Sequence, residues 1–434
     1  IIKLKNMKNL IIFLIFLFSN CFYSQELNKI EIDDYVDTFS KRDFGEIHEG
    51  YLGNKTYSYS IDRNINKEII EWAIIRNGNS LEEFYAQNPN VESWIKGEKN
   101  PTVKQLENFT HKVHVPFGYM FLPKPPNETI PLPFFRTGKK NTNKVSLNVF
   151  HTIQIIQDRQ NWLTEYLEEL NFPDLDFVGK YSIKNSYIEI VNDIRNVLKL
   201  ELDWASRHNK WEEALDYLTN KIEEAGIIVT YNGIVGSNTH RVIDVNECRG
   251  FVLVNNKAPF LFINSADAKA AQMFTIIHEL AHVWLGKSAG FDNANLLPAD
   301  DPLEILCDKV AAELLVPEIY FLKKWETTQD FKYLSRIFKV SPIVIGRRAL
   351  DLNLINLKYF MDFYNNYMSY FKTNKDKQSS GGDFYATTKK RISLRFAAFV
   401  NNAVKENKLL YRDAYRLTSM KGETYNKFIN EYLY

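Results

Sequence analysis

Two histidines, His278 and His282, are separated by Glu279, Leu280 and Ala281 in a stretch that reads as continuous helix from about Ala266 to Leu285. Four residues turn through about 400° of helix, so both imidazoles leave one face a turn apart and can share one metal ion. Glu279 stands about 100° round from His278, beside that ion. A neutral imidazole nitrogen is a metal ligand, and a carboxylate next to the ion is suited to take a proton from water. The pattern predicts metal-assisted hydrolysis with His278 and His282 as ligands and Glu279 as general base.

Glu304 and Asp308 repeat the four-residue spacing in a second helical run, whose Leu306, Val310, Leu314 and Leu315 make an apolar stripe before Pro317. Glu304 completes a His₂Glu set for Zn²⁺, and Asp308, on the same face, orients an imidazole from behind. Glu313, nine residues beyond Glu304, falls half a turn out of phase and reads as a solvated or packing carboxylate. Cys307 reads as a buried structural thiol. His111 and His114 have no carboxylate or cysteine close by in sequence and read as packing or surface histidines. Arg159 and Trp162, three apart on a long helix, predict a guanidinium stacked on its indole.

Composition narrows the alternatives. The chain has 434 residues, 45% apolar and 25% charged, which is globular usage and excludes a disordered or fibrous protein. Its net charge of +1 supplies no overall field towards nucleic acid or an anionic membrane. Three cysteines without a CxxC exclude a disulfide scaffold and a cysteine-only zinc site. Residues 1–24 carry Lys3, Lys5 and Lys8 before the apolar run Leu10 to Phe18, the pattern of a signal-like segment. Cleavage, a lipid anchor at Cys21, a buried segment and a misassigned start are all open readings of it.

The elements that must position the site are mostly helical. Short helices are expected at Lys67 to Arg76, Ser80 to Ala86, Val91 to Lys96 and Thr102 to Lys112, punctuated by Gly78, Pro89 and Gly97. Residues 123–144, with five prolines by Pro133, read as an extended linker without regular structure and as a domain boundary. Long helices follow near Val145 to Leu170, Tyr187 to Leu198 and Trp211 to Ala225. Strands are expected at Ile227 to Tyr231, Val242 to Val245, Phe251 to Val254 and Phe260 to Ile263, the last two joined as a hairpin through Asn255-Asn256-Lys257. Helical sequence then runs to Tyr370, a loop spans Lys372 to Gly382, and a helical block, residues 383–434, ends the chain.

The run Ile276 to Gly286, followed by Glu304 to Pro317 with Ala311-Ala312-Glu313-Leu314-Leu315-Val316-Pro317, resembles the ImmA/IrrE family of zinc metallopeptidases. Upstream, Val91-Glu-Ser-Trp94-Ile-Lys-Gly97-Glu98 with Pro101-Thr102 resembles an XRE-type (lambda-repressor-like) helix-turn-helix, and the combined resemblance extends from about Lys67 through the last block. It implies an α+β, mostly α fold: an all-α helix-turn-helix domain at 67–122, then a zincin-like peptidase region at 145–370 with a core at 227–320 and a small β-sheet, then the helical C-terminal block. It also implies a zinc peptidase that cuts a repressor or antitoxin, often itself a helix-turn-helix protein, in stress responses, mobile elements or toxin–antitoxin loci.

DNA is the other candidate partner. The helix-turn-helix stretch, with Asn90, Ser93 and Lys96 in its turn and short third helix, has a net charge of −1 between Lys67 and Val115, so it lacks most of the counterion-release contribution usual for DNA binding. The basic surface is expected between Lys372 and Lys421, net +8, densest at Lys389-Lys390-Arg391. The reading that emerges is a cytoplasmic zinc endopeptidase whose amino-terminal module docks DNA or a partner, with an extended substrate added to the edge of Phe251 to Val254 or Phe260 to Ile263. A transcriptional regulator or antitoxin with a non-catalytic zinc site is the alternative. An exported or lipid-anchored metalloprotease follows only if residues 1–24 are an authentic signal, the one route to a membrane.

Overall fold

The structure, a computed structural model, describes residues 66–128, 134–135, 145–291, 301–374 and 384–433; the signal-like segment 1–24 lies outside them. The chain divides into two compact units, Ile1–Thr129 and Ile130–Tyr434. No helix among the described residues is long and apolar enough to cross a membrane.

In the first unit, α1 (Lys67–Arg76), α2 (Leu81–Gln87), α3 (Pro89–Ile95) and α4 (Val103–Lys112) are followed by a 3₁₀ turn at Phe117–Phe121. Short helices need their first N–H groups satisfied. Asn66, Ser80 and Thr102 do this as N-caps, and Thr102 exchanges bonds with Gln105 in a full capping box. The third helix starts at Pro89 rather than Val91, because proline at N1 brings a helical φ and has no N–H to leave unpaired. Ile69, Ile74, Phe84, Leu106 and Phe109 meet in a small core of their own.

The second unit opens with β1 (Phe134–Phe135), inside the stretch expected to be an irregular linker. Then come α5 (Leu147–Glu169), α6 (Tyr187–Leu198), α7 (Trp211–Glu224), β2 (Ile228–Tyr231), β3 (Ile234–Val235), β4 (Asn238–Val242), β5 (Gly250–Leu253), β6 (Phe260–Ile263), α8 (Lys269–Trp284) and β7 (Ala289–Phe291). Beyond the site's second helix, α9 (Pro302–Leu315), lie α10 (Glu318–Trp325), α11 (Phe331–Phe338), α12 (Pro342–Asp351) and α13 (Leu357–Asn374), and then α14 (Phe384–Ile392), α15 (Leu394–Lys405), α16 (Tyr411–Thr418) and α17 (Gly422–Tyr432). The molecule is mostly helical around a small mixed sheet, an α+β architecture.

The sheet runs β1-β7-β5-β6-β2, with β2 parallel to β6, β1 parallel to β7, and β5 antiparallel to both β6 and β7. Every residue of β2, β5 and β6 is buried. Successive strand side chains point to opposite faces, so such runs require cover on both sides. Val252, Leu261 and Ile263 enter a core shared with α6 to α12, while Phe251, Phe260 and Phe262 enter one shared with α5 and the C-terminal helices. The C-terminal block therefore belongs to the same compact unit as the sheet.

Four expectations need correction. Residues 243–245 are not a strand: β4 ends at Val242, where Asp244 turns the chain by accepting Asn246 N–H on its side chain and Cys248 N–H on its carbonyl. β5 and β6 form the expected hairpin pair but are flanked on both sides, so neither offers an edge to a substrate; the edge strands are β1 and β2. Apolar text at both strands reflects burial on two faces, which says nothing of edge position. The linker contributes β1, because Phe134 and Phe135 follow the last proline of that stretch and are free to pair with Gly290 and Phe291. The fourth helix after α9, α13, continues through Lys372 to Asn374, into the stretch expected to be a loop.

Candidate active site

α8 carries His278, Glu279 and His282 through the interior. It is buried around most of its circumference, as its apolar composition requires of a helix lying between a sheet and other helices. Its C-terminus is fixed by Gly286 at φ +66°, where Gly286 N–H returns to Val283 O and Lys287 N–H to His282 O, a Schellman arrangement. Gly179 and Tyr181 donate to Val283 O and Trp284 O from a neighbouring loop. The turn that holds His282 is thus tied on all sides.

α9 begins earlier than Glu304, at Pro302, with Asp301 accepting Leu303 N–H at 2.8 Å. Arg195 of α6 donates to Leu314 O at 2.8 Å, and Arg348 of α12 reaches Val316 O at 3.1 Å and pairs with the Glu313 carboxylate. Glu313 is a packing carboxylate in an ion pair, pointing away from the site as its phase requires.

The two helices bring His278, His282 and Glu304 together, one ligand atom from each lying within 4.8 Å of the others. His278 Nε2 is 3.0 Å from Glu304 Oε2, His282 Nε2 is 3.2 Å from Glu304 Oε1, and the two Nε2 atoms are 3.3 Å apart. Asp308 Oδ1 is 2.9 Å from His278 Nδ1. With Nδ1–H donated to Asp308, the Nε2 lone pair of His278 faces the centre of the group. His278, His282 and Glu304 are all buried, as is Glu279 at 0% exposure.

This donor set fits a divalent cation. Two imidazole nitrogens and a carboxylate oxygen crowd one point, and no cationic side chain is among them; only a metal ion or protons can offset their lone pairs. In the metal-free protein protons do so. Burial works against charge on His278, but the Asp308 and Glu304 carboxylates overcome it and push its pKa up to about 10. Burial likewise opposes charge on Glu304, yet hydrogen bonds from His278 and His282 hold it down at about 2. His282 is lowered by burial. Glu279 is raised well above the carboxylate range by burial, and neither of its oxygens has a hydrogen-bond partner among the described residues.

The remaining sequence-predicted residues lie elsewhere. Cys307 is fully buried, and burial raises its thiol well above the usual range. Arg159 does not stack on Trp162: its guanidinium lies 5.8 Å from the Phe396 ring and donates to Leu417 O and Arg391 O, while Trp162 stacks on Tyr166. A helical spacing shows which residues share a face, and here the partner came from α15 instead. Asn90 is exposed on α3, Ser93 Oγ donates back to Asn90 O, and Lys96 pairs with Glu92 at 2.7 Å. Lys389 lies over the Tyr432 ring, Lys390 pairs with Asp216, and the Arg391 carbonyl accepts from Arg159. Gly250, missed in the sequence, abuts Glu279; a glycine opening an apolar run was the available signal.

No curated protein and no solved structure matches the chain. Residues 392–431, spanning α15 to α17, match the model of a domain of unknown function, DUF8813. Residues 222–350 match the model of the IrrE N-terminal-like domain, Peptidase_M78; this stretch, which holds α8 and α9 with His278, His282 and Glu304, is similar to the metallopeptidase domain of the ImmA/IrrE family.

Proposed function

We propose that residues 222–350 form a zinc-dependent endopeptidase that cuts a repressor or antitoxin protein, and that the amino-terminal helices dock this substrate or DNA. The observation that carries the reading is the convergence of His278, His282 and Glu304 with a buried Glu279 carboxylate, one residue from the first ligand, that has no hydrogen-bond partner among the described residues. A zinc site serving structure alone has four protein ligands and needs no such carboxylate.

His278 Nε2, His282 Nε2 and Glu304 would hold Zn²⁺, which supplies Lewis acidity, acidifying water and polarising a peptide carbonyl. Asp308 keeps His278 in the tautomer whose Nε2 lone pair is turned towards His282 and Glu304. Glu279 accepts the proton of the attacking water on a carboxylate oxygen and passes it to the leaving amide nitrogen, so the carboxylate ends as it began. Its burial raises its basicity, which favours taking a proton from water.

The engagement of Lys390 with Asp216 and of Lys389 with Tyr432 occupies two of the three densest cations, which weighs against DNA contact there. The reading is tested by comparing newly formed protein N-termini in cells expressing the wild type or Glu279→Gln. New termini within a repressor or antitoxin, found only with the wild type, are expected; identical termini would favour a regulator with a non-catalytic zinc site.

A further inference from the structure

Gly250 of β5 faces α8, and a side chain there would run into the Thr275 side chain of that helix and the Phe262 backbone of β6. A Cβ added to Gly250 would lie 2.6 Å from Thr275 Cγ2, 2.9 Å from Phe262 O and 3.5 Å from Glu279 Cγ. Gly250 has no positive φ, so the requirement is for space and not for backbone conformation. Thr275 and Glu279 are one turn apart on α8 and share the face that meets the strand.

Neither side can yield easily. Gly250 is paired with Ile263 on one side and Phe291 on the other, which fixes β5 within the sheet. α8 is fixed at its far end by the Gly286 cap and by the N–H groups of Gly179 and Tyr181. An added methyl would therefore displace the turn between Thr275 and Glu279. That turn is where precision is needed, because neither oxygen of Glu279 has a hydrogen-bond partner among the described residues to aim it. Packing of its stem is what sets the carboxylate's place.

We propose that Gly250 is a positioning residue for Glu279, its bare Cα letting the strand hold the base at its distance from the metal ligands. The proposal rests on the reading of Glu279 as general base. Displacing a reacting group by about 1 Å costs on the order of a hundredfold in rate.

The test uses the full chain loaded with zinc, acetohydroxamic acid as the probe, and calorimetry as the readout, with zinc affinity measured separately against a competing chelator. A hydroxamate carries an acidic N–O–H group for the base to accept. Glu279→Gln and Gly250→Ala are each expected to weaken the hydroxamate about tenfold or more while leaving zinc affinity unchanged. The double variant Gly250→Ala/Glu279→Gln should be no weaker than Glu279→Gln alone, since both changes act through one carboxylate. Gly250→Ala/Thr275→Ser, which removes the nearest atom met by the new methyl, should recover part of the loss. Unchanged binding by Glu279→Gln would remove the base reading itself. A normal Gly250→Ala, additive losses in the double variant, or loss of zinc by both Gly250→Ala and Gly250→Ala/Thr275→Ser would overturn the positioning role alone.

Discussion

The Asp308 carboxylate meets His278 Nδ1 at 2.9 Å from the next helix turn beyond Glu304, so one helix supplies both a candidate ligand and the group that orients another. The two roles differ in their expected cost. Glu304→Ala removes a ligand and should abolish zinc binding at micromolar metal, whereas Asp308→Asn should weaken it by about 10- to 100-fold. Competition with a chromophoric chelator separates them, and the reverse order would exchange the two assignments.

Glu279→Gln conserves volume and touches none of the three ligands. Zinc stoichiometry should stay at wild-type level while hydrolysis of the identified substrate falls by a factor of at least about 10². Atomic absorption on the purified variant, paired with a cleavage assay, checks both halves.

Proton release should accompany metal binding. His278 in the metal-free protein has its pKa pushed up to about 10 despite burial, so at neutral pH the ring is protonated and must lose a proton to become a ligand. Zinc titrated into weakly buffered protein at pH 7 should therefore acidify the solution, and apparent affinity should climb towards about tenfold per pH unit until pH approaches 10. The same group contributes stability to the metal-free fold that is complete below its unfolded pKa of about 6.5 and is lost as pH rises through about 10. Metal-free protein should accordingly unfold at lower urea in alkaline buffer. A flat profile between pH 7 and 10 would contradict a protonated His278.

The site was legible in the sequence because its residues obey helix geometry: His278 and His282 repeat at one turn, as do Glu304 and Asp308, and period alone placed each pair on one face. Period also put Glu313 on the opposite side. Its Arg348 partner lies 35 residues further along the chain, and no local pattern announces such a pair. The hairpin of β5 and β6 was legible from two apolar runs around an Asn-rich turn, but strand order is a property of the whole sheet, so their interior position was not. β1 was hidden by neighbouring prolines, and Gly250 by the absence of a side chain to read. Arg159 shows the same limit, since its true neighbours come from α14, α15 and α16, more than 200 residues away.

That last contact makes a prediction about the C-terminal helices. Arg159 is 3% exposed on α5, and burial lowers its pKa to about 10, so its charge has been taken from water with few compensating groups. What compensates is Leu417 O at 2.8 Å, Arg391 O at 3.1 Å and the Phe396 ring face. Leu417 and Arg391 lie on α16 and α14, so one guanidinium ties two C-terminal helices to α5. Arg159→Ala leaves the buried Leu417 carbonyl and the half-buried Arg391 carbonyl without this donor and opens a cavity, which together should cost about 3–5 kcal/mol. Arg159→Met fills most of the volume and should cost less, about 1–3 kcal/mol, the remainder being the unmet carbonyls. Urea unfolding should show the midpoint falling in that order with an unchanged slope if the C-terminal helices unfold together with the sheet. Two separated transitions in Arg159→Ala, with zinc still bound after the first, would instead reveal that α14 to α17 can leave while the ligand helices α8 and α9 stay folded.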